Sequence, residues 1–254
     1  MAKLQGKKGL IVGIANEHSL AYGCARAFRD EGAELAITYL NAKAEPHVRP
    51  LAEALGCPII APCDVTADGE LEAVYRTIAD TWGRLDFAVH SIAYAKAEDL
   101  HGRIVDCSAD GFAYSMQVSV HSFLRMAKLA EPLMADGGSL LTMSYYGADK
   151  AVPHYNIMGP VKAALEAAVR YMAVELGEKE IRVNAMSPGP VATRAARGIA
   201  HFDELLERAT QAAPEHRLVS LEDVGALAAF LVGDGARSIT GNVCYVDAGY
   251  HVTG

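Results

Sequence analysis

The sequence predicts an α/β fold, a single-domain, doubly wound, parallel seven-stranded sheet of Rossmann-like form, and three observations predict it. Short continuous apolar runs alternate with longer amphipathic stretches along the whole chain. The first apolar run ends at a glycine, Gly13, and a helical pattern follows it. No linker, low-complexity segment or repeat with a period of roughly 20 to 50 residues divides the 254 residues. Parallel strands covered on both faces read as unbroken apolar runs, and each crossover needs a helix to bring the chain back.

In order, the expected strands are 9–13, 35–39, 58–63, 87–90, 139–143, 182–186 and 242–246. Helical patterns cover about 19–31, 44–55, 68–82, 108–135, 154–177 and 221–232. Seven strands and their helices use the whole length, so residues 1–254 are expected to form one domain. The least regular stretch is about 189–213. Pro188-Gly189-Pro190 should break any strand, and the small-residue run VATRAARGIA follows. It reads either as a surface loop or as a mobile substrate cover, since it follows a late strand on the ligand side of the sheet.

With 51% hydrophobic and 21% charged residues the chain can bury a sizeable core, which excludes disorder for its bulk. Lys and Arg number 23 against 31 Asp and Glu, a formal charge of −8, and no basic block occurs. That balance argues against nucleic acid and anionic membranes. Five cysteines (24, 57, 63, 107 and 244) without a CxxC pair suggest neither a disulfide framework nor a zinc knuckle. No metal-ligand spacing occurs among the histidines, and no metal is expected. The run 9–15 is too brief for a secretory signal, and no stretch approaches the ~20 apolar residues of a membrane span. A cytoplasmic protein that handles small molecules is the expectation.

The chemistry begins at Gly13-x5-Ser19-x3-Gly23, which has a glycine for a tight turn and a serine at a helix start. Helix N-termini attract phosphate, and Ser19 can donate to a pyrophosphate; as structure alone, Gly13 is a turn and Ser19 an N-cap. The second strand ends in Tyr39, Leu40 and Asn41, with Lys43 beyond. It lacks both the acidic residue usual for NAD and an adjacent Arg for NADP, which leans towards NAD. Asp64-Val65 closes the third strand, where a carboxylate can accept from an adenine amino group or simply form a turn. The fourth strand ends in His90-Ser91-Ile92-Ala93-Tyr94-Ala95, small enough for close passage of a ribose or for ordinary packing.

The strongest local signal is Tyr155-x6-Lys162. Seven residues nearly match two helical turns, so on one helix the pair shares a face. A phenol with a pKa of roughly 10 needs nearby positive charge to act as an acid near neutrality, and Lys162 supplies it. A core tyrosine beside a surface lysine is the bland alternative. Tyr145 and Tyr146 stand at the mouth of the fifth strand, and spacing within the strand does not separate them.

These residues resemble the short-chain dehydrogenase/reductase superfamily, and within it the divergent branch of bacterial enoyl-[acyl-carrier-protein] reductases. The resemblance runs from Gly13 to Gly249 and is carried by GIANEHSLAYG, CDV, VHSIA, LLTMSYYGADKAVPHYNIMGPVKAALEAAVRYMA and IRVNAMSPGPVATRAARGI. It implies a Tyr-x9-Tyr-x6-Lys arrangement, which selects Tyr145 with Tyr155 and Lys162 as catalytic residues. It also implies NAD as cofactor, held by Gly13, Ser19, Leu20, Asp64, Val65, Ile92, Lys162, Val191, Ala192, Thr193, Arg194 and Ala195. Ala95 would lie beside the acyl chain, the substrate would be carried on acyl-carrier protein for fatty acid biosynthesis, and the assembly would be a homotetramer. The chain departs from the family at Pro188, Ala93 and Leu40, and Pro188-Gly189 looks more like ordinary dehydrogenases. A carbonyl or 3-oxoacyl reductase and a non-catalytic dinucleotide-binding regulator are the rival readings. The lysine spacing argues against the first and the intact Tyr155 and Lys162 against the second.

Overall fold

The computed structural model describes residues 3–191, 193 and 202–253. Its centre is one parallel sheet with the strand order β3-β2-β1-β4-β5-β6-β7. The strands are β1 (Lys8–Val12), β2 (Glu34–Tyr39), β3 (Ile59–Pro62), β4 (Phe87–His90), β5 (Gly138–Met143), β6 (Ile181–Pro188) and β7 (Val243–Val246). β1 pairs with both β2 and β4, so the chain builds outward on one side and then crosses back to the other. Such a reversal leaves a crevice at the carboxyl ends of β1 and β4, where ligands of doubly wound sheets bind.

Strand alternation divides the core into two layers. Leu10 and Val12 face α3 (Glu70–Trp82), α6 (Ser122–Ala130) and α7 (Met158–Leu176), through Ile78, Phe123 and Leu165. Ile11 and Ile37 face α1 (Leu20–Asp30), α2 (Glu45–Ala54) and α9 (Leu221–Val232), through Phe28, Val48 and Ala228. α1 and α9 cross at two glycines. A Cβ on Gly225 would stand 2.7 Å from the Gly23 carbonyl oxygen, so only glycine allows the helices this close. α9 starts at a capping box in which Ser220 accepts from the Asp223 N–H and Asp223 accepts from the Ser220 N–H.

Four expectations need correction. The stretch 108–135 is not one helix: it divides into α5 (Ala109–Met116), a π-helical turn (Gln117–His121) and α6. Part of 189–213 is helical, as α8 (Phe202–Ala212). A short helix, α4 (Ala97–His101), follows β4 where none was expected. Pro188 ends a strand rather than breaking it. Pairing with β5 stops at Met186, and Ala185 and Gly189 donate on the β7 side, so the missing Pro188 N–H leaves no ladder bond unmade.

Candidate active site

A cavity of about 380 Å³ opens along the carboxyl edge of the sheet at the β1–β4 crevice. Gly13, Ala15, Ser19 and Leu20 line it after β1, and residues Ser91 to Ala95 after β4. Met143, Ser144 and Tyr145 enter from the end of β5, Tyr155 from the turn before α7, Met158 and Lys162 from the first turns of α7, and Pro188 to Val191 with Thr193 from the end of β6 and the segment after it. Leu100 and Leu205 add apolar wall.

Gly13 stands at φ 120, and a Cβ there would lie 2.1 Å from the Ser91 carbonyl oxygen. Glycine is therefore obligatory where the two strand ends touch. Ser19 is not the side-chain N-cap that the structural alternative expected. Its Oγ accepts from the N–H groups of Ala15 (3.0 Å) and Asn16 (3.1 Å), fastening the glycine turn, and it makes no side-chain cap on α1. The first N–H groups of α1 are left for an anion rather than for a cap.

Tyr155 does not share a helix with Lys162. It sits in the turn before α7, between His154 and Asn156, both in the left-handed region at φ 65 and φ 40. Its ring packs edge-on against Tyr145 with centroids 4.8 Å apart. The room comes from Gly147, where a Cβ would collide with the Tyr155 ring at 2.4 Å. Lys162, one turn into α7, is buried, and its Nζ donates to the Met143 carbonyl at 2.6 Å.

Burial governs the charges here. It pushes the Lys162 ammonium down to about 8, against the pull of Glu166. It also pushes the Tyr155 phenol well above the usual tyrosine range, with Tyr145 and Glu166 adding to the effect. The direction is opposite to the expected lowering, and burial is its main cause. Tyr155 is a neutral hydrogen-bond donor at physiological pH.

Tyr145 and Tyr146, which their place at the strand mouth alone does not separate, part company in space. Tyr145 lines the cavity, whereas the Tyr146 ring packs on Tyr250; both hydroxyls are buried without a hydrogen-bond partner. Ile92, Ala95, Val191 and Thr193 line the cavity. Asp64 and Val65 follow β3 at the same edge of the sheet without lining the cavity. Asp64 Oδ1 accepts from the N–H (2.8 Å) and hydroxyl (2.7 Å) of Thr66, a turn role, and Val65 is a core residue. Ala192, Arg194 and Ala195 lie outside the described residues. Sequence reasoning missed Glu166, which accepts a hydrogen bond from Ser144 Oγ. Its place four residues after Lys162 was the available signal, since i and i+4 meet on a helix.

Fold and site together define a dinucleotide-binding α/β protein whose ligand edge carries two tyrosines and a buried ammonium. The enoyl-(acyl carrier protein) reductase family matches residues 13–251. An enoyl-[acyl-carrier-protein] reductase [NADH] of Rhizobium meliloti is 47% identical over 251 residues, covering 99% of this chain and 92% of that one. The crystal structure of the Anaplasma phagocytophilum enoyl-acyl-carrier-protein reductase in complex with NAD superposes with a TM-score of 0.96 at 49% identity, covering 100% of this chain and 97% of that one. The Bacillus cereus enoyl-acyl carrier protein reductase, crystallised with NADP+ and indole naphthyridinone, gives 0.97 at 42% identity with both chains fully covered. The chain belongs to the enoyl-(acyl carrier protein) reductase family.

Proposed function

We propose that the protein reduces the trans-2 double bond of enoyl thioesters carried on acyl-carrier protein, with NADH, in fatty acid biosynthesis. The observation that carries this reading is the cavity wall itself, where Tyr155 and the unpartnered Tyr145 hydroxyl meet beside buried Lys162 at the β1–β4 crevice. The residues suit a nicotinamide dinucleotide: an uncapped helix start for phosphate, a glycine that keeps the crevice open, and a buried cation for ribose hydroxyls. When bound, reduced nicotinamide supplies the hydride to the β-carbon. Gly13, Ser19, Leu20, Ile92, Lys162, Val191 and Thr193 would hold it, with Asp64 and Val65 further along the sheet edge.

Hydride addition at the β-carbon leaves negative charge on the thioester oxygen, to which Tyr155, kept protonated by burial, donates a hydrogen bond. That bond lowers the barrier because the charge is larger in the transition state than in the substrate. A solvent proton taken up at the α-carbon completes the reduction. Lys162 fixes the cofactor ribose and holds positive potential beside the phenol. Tyr145 positions the thioester by donating from its otherwise idle hydroxyl. Ala95 and Leu100 face the acyl chain. The segment after β6 with α8 serves as the substrate cover, a role supported by Val191, Thr193 and Leu205 in the cavity wall.

The same reading makes the enzyme a cytoplasmic homotetramer. Its five cysteines are free, no described helix is long and apolar enough to cross a membrane, and Tyr171 and Val174 of α7 are exposed. Light scattering on the purified protein tests the assembly. The reaction is tested by mixing protein, NADH and an enoyl thioester such as crotonyl thioester and following NADH absorbance. Steady consumption is expected; no consumption with either nicotinamide cofactor would overturn the reading.

A further inference from the structure

Asn156 stands next to Tyr155 in a backbone conformation that few side chains accept, at φ 40. Its amide Nδ2 donates to the Leu100 carbonyl at 2.6 Å, across 56 residues of sequence. Leu100 belongs to the last turn of α4, where carbonyls lack partners within the helix, so the amide acts as a cap supplied from another element. The other side of α4 is latched as well. Asp99 accepts from the Ser108 N–H at 2.7 Å and from its hydroxyl, while Ser108 Oγ caps α5 through the Gly111 N–H at 3.0 Å. A Cβ on Gly111 would lie 1.7 Å from the Asp99 carboxylate, so this joint has no slack.

We propose that Asn156 is a positioning residue for the acyl chain: its amide ties α4, and with it the Leu100 wall of the cavity, to the turn that carries Tyr155. The inference rests on the enoyl-thioester reading, because it assigns the Leu100 wall to that substrate. Without the tether α4 loses its hydrogen bond to the turn that carries Tyr155, and the distance between the apolar wall and the phenol is set less tightly. A long acyl chain, which uses the wall, then binds worse than a short one, while the dinucleotide side of the cavity is untouched.

Two variants separate the amide from the backbone. Asn156→Gly keeps the left-handed conformation and removes the side chain. Asn156→Asp keeps the shape but places a carboxylate, which cannot donate, against the Leu100 carbonyl. For both, kcat/KM with a long-chain enoyl thioester is expected to fall about tenfold relative to crotonyl thioester, a loss one hydrogen bond can support. The loss should lie in KM, with kcat and the KM for NADH held within about threefold of the parent. Amide hydrogen exchange across residues 96–101, measured without substrate, should quicken. An unchanged long-to-short ratio in both variants, or a parallel loss for the two substrates and NADH, overturns the proposal. A parent protein inactive on enoyl thioesters overturns the reductase reading instead, and unchanged exchange in the variants then removes the tether too.

Discussion

At Tyr155 burial pushes the phenol up, and Tyr145 and Glu166 act in the same direction, so the phenol stays protonated and its use is as a donor. Tyr155→Phe keeps the ring and its packing against Tyr145 but removes that donor. Turnover should fall by roughly 100-fold or more, with NADH affinity by fluorescence titration unchanged. Normal turnover would remove Tyr155 from the chemistry. Glu166 governs the neighbouring cation. It is one of the forces that keep the Lys162 ammonium from sinking further below about 8. Glu166→Gln should let that value drop, so the cation is lost at lower pH. The alkaline limb of NADH binding should shift towards acid, which a titration series across pH would reveal. The Tyr155 and Lys162 pair was legible because both residues carry their chemistry in their side-chain type. Asn156 was not, since its partner is a backbone carbonyl in α4 that no local pattern announces.

Among the elements, the helices show where pattern reading stops. The stretch 108–135 has helical periodicity throughout, yet the π-helical turn at Gln117–His121 divides it. That turn is held from β4: His90 Nε2 pairs with Ser122 Oγ at 2.7 Å, and Ser122 Oγ donates to the Val118 carbonyl at 2.6 Å. Burial presses His90 down to about 3, so it is a neutral structural ring rather than an acid or base. A bond from a distant strand is invisible to periodicity, and so is a helix crossing. Gly225→Ala would force α9 off the Gly23 carbonyl and should cost about 1–3 kcal/mol, the usual range for overpacking. Ser220→Ala removes half of the capping box of α9 and should cost about 1 kcal/mol. Chemical denaturation of both variants measures these losses, and stabilities equal to the parent's would contradict the close crossing and the cap.

On the scale of the whole molecule, alkaline pH should destabilise the fold. Burial pushes the thiols of Cys24 and Cys63 up to about 12 and that of Cys57 to about 11, from an ordinary 9.0. Between those values the unfolded chain has released protons that the folded chain still holds, so stability falls as pH rises. Lys162 works in the opposite sense. From about 8 to its ordinary 10.5 the unfolded chain binds the extra proton, and stability rises there. Three thiols outweigh one ammonium, so Tm near pH 10 should lie below Tm near pH 8. Cys24→Ala should shrink that difference, and a Tm that climbed through this range would refute the assignment.

The order and kind of the strands, the glycine turn and the spacing of Tyr145, Tyr155 and Lys162 were all present in the amino-acid order. Apolar runs, a turn residue and a residue interval are local properties, and local properties survive in one dimension. The tertiary structure alone decided that the Tyr146 ring packs on Tyr250, that Tyr155 precedes its helix, and that Ser19 binds its own turn. It alone joined Asn156 to Leu100. Each of these depends on which distant atoms fold into reach and on how much water they displace, and burial, hydrogen-bond partners and charge balance exist only once the chain has closed on itself.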